Sequence, residues 1–217
     1  MTFLISKEDN LAERLRRGLE PVPRELSPAL ELDGKIRGDH DLNPASAPQR
    51  DLPFTPAAVL VPIVLRHEGP TVILTRRATH LTKHAGQISF PGGRSDDGDE
   101  NAVATALRET QEEIALDPGL VEVVGSLTTY ITVTRYSVTP VVGLVKPDFT
   151  LRPEEGEVSE IFEVPLDFLI DQSNRRQHSG FHNGVERFWY AIPFGDYYIW
   201  GATAGMIKDL SERIMLK

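Results

Sequence analysis

No cysteine occurs anywhere in the sequence. That absence excludes disulfides, thiolate metal ligands and a cysteine nucleophile, and it fits a reducing interior. Long apolar runs are also missing. The longest, AAVLVPIVL at 57–65, is far too short to span a bilayer, and the N-terminus MTFLISKEDNLAERLRRGLE lacks the apolar core of a signal peptide. A cytoplasmic protein with no membrane partner is the expectation. Lysine and arginine nowhere form a run long enough to track a nucleic-acid backbone, and the formal net charge is -9. Nucleic acid is therefore disfavoured as a partner, while a small anion bound through metal ions is not.

What is present describes an ordinary folded protein. The 217 residues are 40% hydrophobic and 25% charged, enough for one main domain with a buried core. Residues 1–54 read as an arm: a polar helix from Lys7 to about Gly18 with Leu11 and Leu15 at helical spacing, then a stretch rich in proline and aspartate. From 55 to 217 the pattern is that of a domain. Ala57–Arg66 and Thr71–Arg77 read as a β-hairpin around HEGP, Gln87–Phe90 as a short strand, and FPGGR with SDDGDE as loop. A helix follows at Ala102–Ala115, ended by Pro118 and Gly119. Val121–Tyr130, Val138–Val145, Ile161–Val164, Arg187–Pro193 and Tyr197–Trp200 read as strands, and Ala202–Leu216 as a closing helix. This order, without regular alternation, predicts an α+β fold with a mixed sheet between helices.

The chemistry concentrates in ALRETQEEIAL at 106–116. On a helix Glu109, Glu112 and Glu113 stand three and four residues apart, so their carboxylates share a face and repel one another. A hard divalent cation, Mg²⁺ or Mn²⁺, removes that penalty and accepts such oxygen ligands. Arg108 is placed to hold a carboxylate in position, while Ala104, Leu107 and Ile114 are free to face the core. Upstream, Gly92 and Gly93 allow a backbone to approach a phosphate or to turn tightly.

The stretch GGRSDDGDENAVATALRETQEEIAL resembles the Nudix box: glycine, five spacers, glutamate, seven spacers, then REUxEExGU with U bulky and aliphatic. Arg108, Glu109, Glu112, Glu113 and Leu116 match. Thr110 stands at a U position, Ala115 replaces the glycine, and the loop is one residue longer, so the usual glutamate corresponds to either Asp99 or Glu100. The longer stretch ILTRRATHLTKHAGQISFPGGRSDDGD at 73–99 is similar to the extended signature of the coenzyme A pyrophosphatase branch of that family, through Thr75, Arg77, His84, Gly86, Gln87, Ile88, Phe90, Pro91, Gly92, Gly93, Asp96 and Asp99. Thr82 stands where that branch commonly has arginine.

The resemblance implies an α/β/α sandwich that hydrolyses a nucleoside diphosphate linked to another group, using Mg²⁺ or Mn²⁺ held by Glu109, Glu112 and Glu113. For coenzyme A or a derivative the products are 3′,5′-ADP and 4′-phosphopantetheine or its acyl form. ADP-ribose or a dinucleotide is the alternative substrate, and a non-catalytic binding domain on the same scaffold is a third reading. Arg108 is expected to orient the acids. One further carboxylate from outside the helix is expected from EVSE, Glu157 being preferred to Glu160. Arg77 and His84, with Gly92 and Gly93, are candidates for contact with the substrate, as is Arg76. Tyr130, Tyr136 and Trp200 are read as core residues. Oligomeric state stays open, a homodimer included.

Overall fold

The computed structural model describes residues 8–24, 36–47, 53–82, 84–182 and 184–215. In chain order it contains helix α1 (Glu8–Gly18), strands β1 (Arg37–Gly38), β2 (Thr55–Val64), β3 (Thr71–Arg77), β4 (Ile88–Ser89) and β5 (Gly92–Arg94), and helix α2 (Ala102–Ile114). Strands β6 (Val121–Ser126), β7 (Tyr130–Ile131), β8 (Tyr136–Val145) and β9 (Val158–Pro165) follow, then helix α3 (Leu166–Ile170), strands β10 (Arg176–His182), β11 (Val185–Phe194) and β12 (Tyr197–Trp200), and helix α4 (Ala202–Met215).

Strand β2 is the spine of a mixed sheet. It runs parallel to β8 along its whole length, from Thr55 opposite Tyr136 to Val64 opposite Val145. Its other edge is shared: β3 pairs at one end through Ile63 and Val64, and β5 at the other through Ala57, Ala58 and Val59. Central position buries both faces, which is why the strand is almost continuously apolar. The two-residue period still sorts its side chains. Ala57, Val61 and Ile63 enter one buried cluster, while Ala58, Leu60 and Val64 enter a second with Ala102, Ala106 and Ile114 of α2. Helix α2 therefore forms one outer layer. The opposite layer holds α3, α4 and α1, whose Leu11 and Leu15 are fully buried in the larger cluster.

The N-terminal helix is tied down by polar contacts as well. Arg213 of α4 donates from Nη1 to the Gly18 carbonyl at 3.0 Å and from Nε to Asp209 at 3.1 Å. Asp209 in turn accepts the Thr128 backbone N–H at 2.9 Å. Among the described residues no helix is long and apolar enough to cross a membrane.

Five expectations change. FPGGR does not run entirely as loop, because Gly92–Arg94 pairs with β2. Strand β10 was not foreseen; it pairs antiparallel with β11, which pairs with β12, in a separate three-stranded sheet. The β2 and β3 strands share only two residue pairs, most of β3 being paired with β9. Helix α2 ends where expected to within one residue, but the residue that ends it is Ala115 rather than Pro118 and Gly119: Ala115 takes a left-handed conformation, φ +58°, its N–H reaching the Gln111 carbonyl. Of the aromatics read as core, Tyr130 is buried and donates to Asp39 at 2.9 Å, whereas Tyr136 and Trp200 are exposed.

Two outcomes test this packing by chemical denaturation. A left-handed alanine carries a Cβ penalty of about 1 kcal/mol, so Ala115→Gly is expected to raise stability by about 0.5–1 kcal/mol. Leu15→Ala is expected to lower it by about 2–5 kcal/mol, as core residues do, and a loss below about 0.5 kcal/mol would show that α1 is only lightly docked.

Candidate active site

The site is built where β5 is laid against α2. At Gly92 φ is +145°, and a Cβ would run into the Ala58 carbonyl and the Val59 backbone of β2. Only glycine fits so close an approach. It lets the Gly92 N–H donate to Glu113 Oε2 at 3.1 Å. One residue on, a Cβ at Gly93 would land on the Glu109 carboxylate. The paired glycines thus make room for two acids of the helix.

Those acids do not share one solvated face. Glu113 lies on the core side of α2 with Ala106, Thr110 and Ile114, and only 6% of it is exposed. Glu109 is largely covered, while the Glu112 side chain is 60% exposed. Ala104 and Leu107 are half-buried, so Ala102 and Ala106 carry more of the packing than the spacing suggested. Burial pushes the Glu113 carboxyl up to about 7; Glu109 and Glu157 add to the rise, and the Gly92 N–H and Arg77 oppose it. Glu109 is raised too, first by burial, with Glu112 and Glu157 repelling its charge and Arg108 offsetting them.

Arg108 organises the rim. Its Nε and Nη2 form a fork onto Asp99 at 3.0 and 2.9 Å, and Nη1 donates to Glu109 at 2.9 Å and Glu112 at 3.0 Å. The forked pair is the strong geometry for guanidinium and carboxylate. Asp99 also accepts from the Asp96 N–H and the Thr105 hydroxyl, and Arg108 above all holds its carboxyl down to about 2. Of the two acids the sequence left open, Asp99 is the one that meets Arg108, and Glu100 is exposed.

Outside the helix the two EVSE acids part company. Glu160 is occupied, accepting the Tyr197 hydroxyl at 2.7 Å and pairing with Arg76 at 3.3 Å. The Glu157 carboxylate has no hydrogen bond or ion pair among the described residues, and its charge is felt at both Glu109 and Glu113. Arg77 stands 3.9 Å from Glu113, with its Nε buried and without a hydrogen-bond partner among the described residues. His84 is exposed, at φ +57°, and its Nδ1 donates to Gln87 Oε1 at 2.8 Å. Its turn is closed by Gly86 N–H to the Arg77 carbonyl and Arg77 N–H to the Gln87 carbonyl. Sequence reading missed Thr105 and Asp96 as supports of Asp99 and gave Ser159, considered below, no role.

The donor set suits a hard divalent cation: carboxylate oxygens only, with Glu109 and Glu113 both raised, first by burial and then by the neighbouring acids. Among the described residues no three acids already converge as ligands; Glu109 and Glu112 are engaged by Arg108, and Glu113 by the Gly92 N–H.

Two measurements test the geometry. Gly92→Ala meets backbone and is expected to cost several kcal/mol of stability, whereas Gly93→Ala meets a movable carboxylate and is expected to stay folded while displacing Glu109. A Gly92→Ala protein as stable as the parent would contradict the close approach. Asp99, with its lowered pKa, contributes stability above the ordinary carboxylate range near pH 4 that is lost as pH falls toward about 2. Asp99→Asn is expected to flatten the acid limb of the unfolding profile across that window.

A model of the NUDIX domain matches residues 54–183, more than half of the chain. The chain is 46% identical over 162 residues, 74% of its length and 83% of the relative's, to a protein of Escherichia coli K12 named as an uncharacterized Nudix hydrolase, NudL. The protein of the same name from Shigella boydii serotype 18 is 45% identical over the same length. Among solved structures a Caenorhabditis elegans Ap4A hydrolase complex superposes with a TM-score of 0.45 at 20% identity, covering 51% of this chain and 80% of that one; at that score it bears on neither substrate nor mechanism. The domain match and the relatives' identity agree with a helix of acids backed by two glycines, and the chain belongs to the Nudix hydrolase family.

Proposed function

We propose that the protein is a Mg²⁺- or Mn²⁺-dependent pyrophosphohydrolase that cleaves the diphosphate of coenzyme A or a derivative into 3′,5′-ADP and 4′-phosphopantetheine or its acyl form. The observation that carries the reaction class is the crowding of Glu109, Glu113 and Glu157, whose charges repel one another beside Gly92, Gly93 and Arg77. The coenzyme A assignment rests on the run from Thr75 to Asp99 and its resemblance to that branch.

On this reading Glu109, Glu112 and Glu113 hold the cation, which when bound neutralises the diphosphate and polarises phosphorus toward water. Arg108 keeps Glu109 and Glu112 within reach of the site and Asp99 keeps Arg108 in place. The partly exposed Arg77 guanidinium, 3.9 Å from Glu113, is the positive group offered to a phosphate oxygen. Glu157, free of other partners among the described residues, takes the proton from the attacking water, leaving it on a carboxylate oxygen. Glycine at 92 and 93 lets β5 lie close against β2 and the Glu109 carboxylate. Water is the nucleophile, so the lack of cysteine costs the chemistry nothing.

The test is a panel of coenzyme A, ADP-ribose, a dinucleoside polyphosphate and a nucleoside triphosphate, each with and without added Mg²⁺ or Mn²⁺, products identified by mass. Metal-dependent release of 3′,5′-ADP from coenzyme A, faster than any cleavage of ADP-ribose, is expected. Equal or faster ADP-ribose turnover would sink the coenzyme A assignment, and turnover undiminished by chelator would sink the metal. Glu113→Gln is expected to lose at least roughly a hundredfold in rate, since metal stabilisation of the transition state is worth several kcal/mol, while its circular dichroism stays that of the parent.

A further inference from the structure

Strands β3 and β9 pair residue for residue from Thr71 opposite Pro165 to Arg76 opposite Glu160, and then the register slips: Arg77 lies opposite Val158. Ser159 is left over. Such a bulge bends the strand and re-aims the side chains beside it. The Ser159 hydroxyl sits 3.1 Å from the Arg76 carbonyl and 3.3 Å from the Arg77 carbonyl, sharing its hydrogen between the two. On the far side the chain is fixed by Ala78 N–H to the Glu157 carbonyl at 2.8 Å, and by Glu154 N–H to the Glu113 carbonyl at 2.9 Å. The slip is thus clamped at both ends.

The clamp acts where two neighbouring arginines separate. Arg76 turns to Glu160 and lies over the Tyr197 ring, its guanidinium carbon 5.0 Å from the centroid. Arg77 turns to Glu113 and keeps its Nε unpartnered. With the register of the rest of the strand continued, Ser159 itself would face Arg77, and Glu157 would move from beside Ala78 to beside Thr79, a displacement of about 3.3 Å along the strand. The extra residue therefore sets the end of β3 against the acids of α2.

We propose that Ser159 is a positioning residue: its hydroxyl holds the bulge that places the partly exposed Arg77 guanidinium, beside Glu113, to meet the phosphate groups of the substrate. This rests on the pyrophosphohydrolase reading for the nature of the substrate but not on turnover for its test. A backbone-directed hydroxyl bond contributes about 1 kcal/mol, and its loss is read as a weaker grip on phosphate.

The measurement is calorimetric binding of ADP in the presence of Mg²⁺, with circular dichroism to establish that each variant is folded. Ser159→Ala is expected to weaken binding roughly fivefold. Ser159→Thr, which keeps the hydroxyl, is expected to restore it to within about twofold. In an Arg77→Ala background, Ser159→Ala is expected to change affinity by less than about twofold, as residues acting through one another do in a double-mutant cycle. Unchanged affinity in Ser159→Ala, no rescue by threonine, an undiminished loss in the Arg77→Ala background, or failure of the parent to bind ADP would each overturn the assignment. A protein that shows the expected pattern yet hydrolyses none of the panel substrates keeps the positioning role and loses the proposed reaction. One that cleaves coenzyme A with no Ser159 effect loses the positioning role alone.

Discussion

A carboxylate placed on the core side of a helix is the constraint from which this site follows. Glu113 occupies a position in α2 that the packing pattern reserves for an apolar residue, with Ala106 and Ile114 as its neighbours. Burial of an acid is costly unless something answers its charge. The protein supplies one backbone N–H and one distant guanidinium, and the carboxyl still titrates near neutrality, at about 7. The N–H reaches it only because β5 lies against β2 with no side chain at Gly92. The need for glycine on the strand and the need for an acid on the helix are two sides of a single contact.

Arg108 solves a different problem at the rim. It hydrogen-bonds three carboxylates, Asp99 by two bonds and Glu109 and Glu112 by one each. The unequal grip gives these acids unequal freedom: Asp99 is a fixed anchor for the arginine, while Glu109 and Glu112 can leave it at smaller cost. On the proposed reading that difference separates a supporting acid from ligands, and it places the arginine as a counter-charge that a cation takes over.

Much of this was legible in the sequence, and the remainder shows what spacing does not encode. Strands β2, β3 and β8 and helices α2 and α4 stand out because their apolar residues repeat at the periods of buried strands and helices. Strand β10, RQHSGFH, has no such period, since its register is supplied by pairing with β11 rather than by burial of its own face. Strand β5 is three residues with two glycines, a composition that reads as turn, and it exists because β2 offers an edge. Within the site, the three and four residue intervals put Glu109, Glu112 and Glu113 together but could not grade them from exposed to buried, because that depends on which side of α2 meets the sheet. Nor could spacing separate Asp99 from Glu100, or Glu157 from Glu160, because what distinguishes the members of each pair is which of them is bonded to a partner outside its own segment: Asp99 to Arg108, and Glu160 to Tyr197 and Arg76.

The substitution of alanine for glycine at 115 ties the helix to the loop that completes the site. A left-handed residue there ends α2 after Ile114 and frees the last carbonyls of the helix. Arg152 and Glu154 answer two of them, their N–H groups donating to the carbonyls of Ile114 at 3.0 Å and Glu113 at 2.9 Å. The same segment continues through Glu157 into β9, so the carboxylate nominated as base is positioned by the capping of the helix that bears the nominated metal ligands. Helix end, loop and edge strand are therefore joined by backbone bonds, and a change that lengthened α2 by one turn would break those bonds and release the segment that carries Glu157. The turn from Ala78 to Gln87 is anchored separately, at Arg77. On the proposed reading, Thr82 and His84 on that turn can change the groups offered to a substrate without moving the acids, because the two parts are anchored by different backbone bonds.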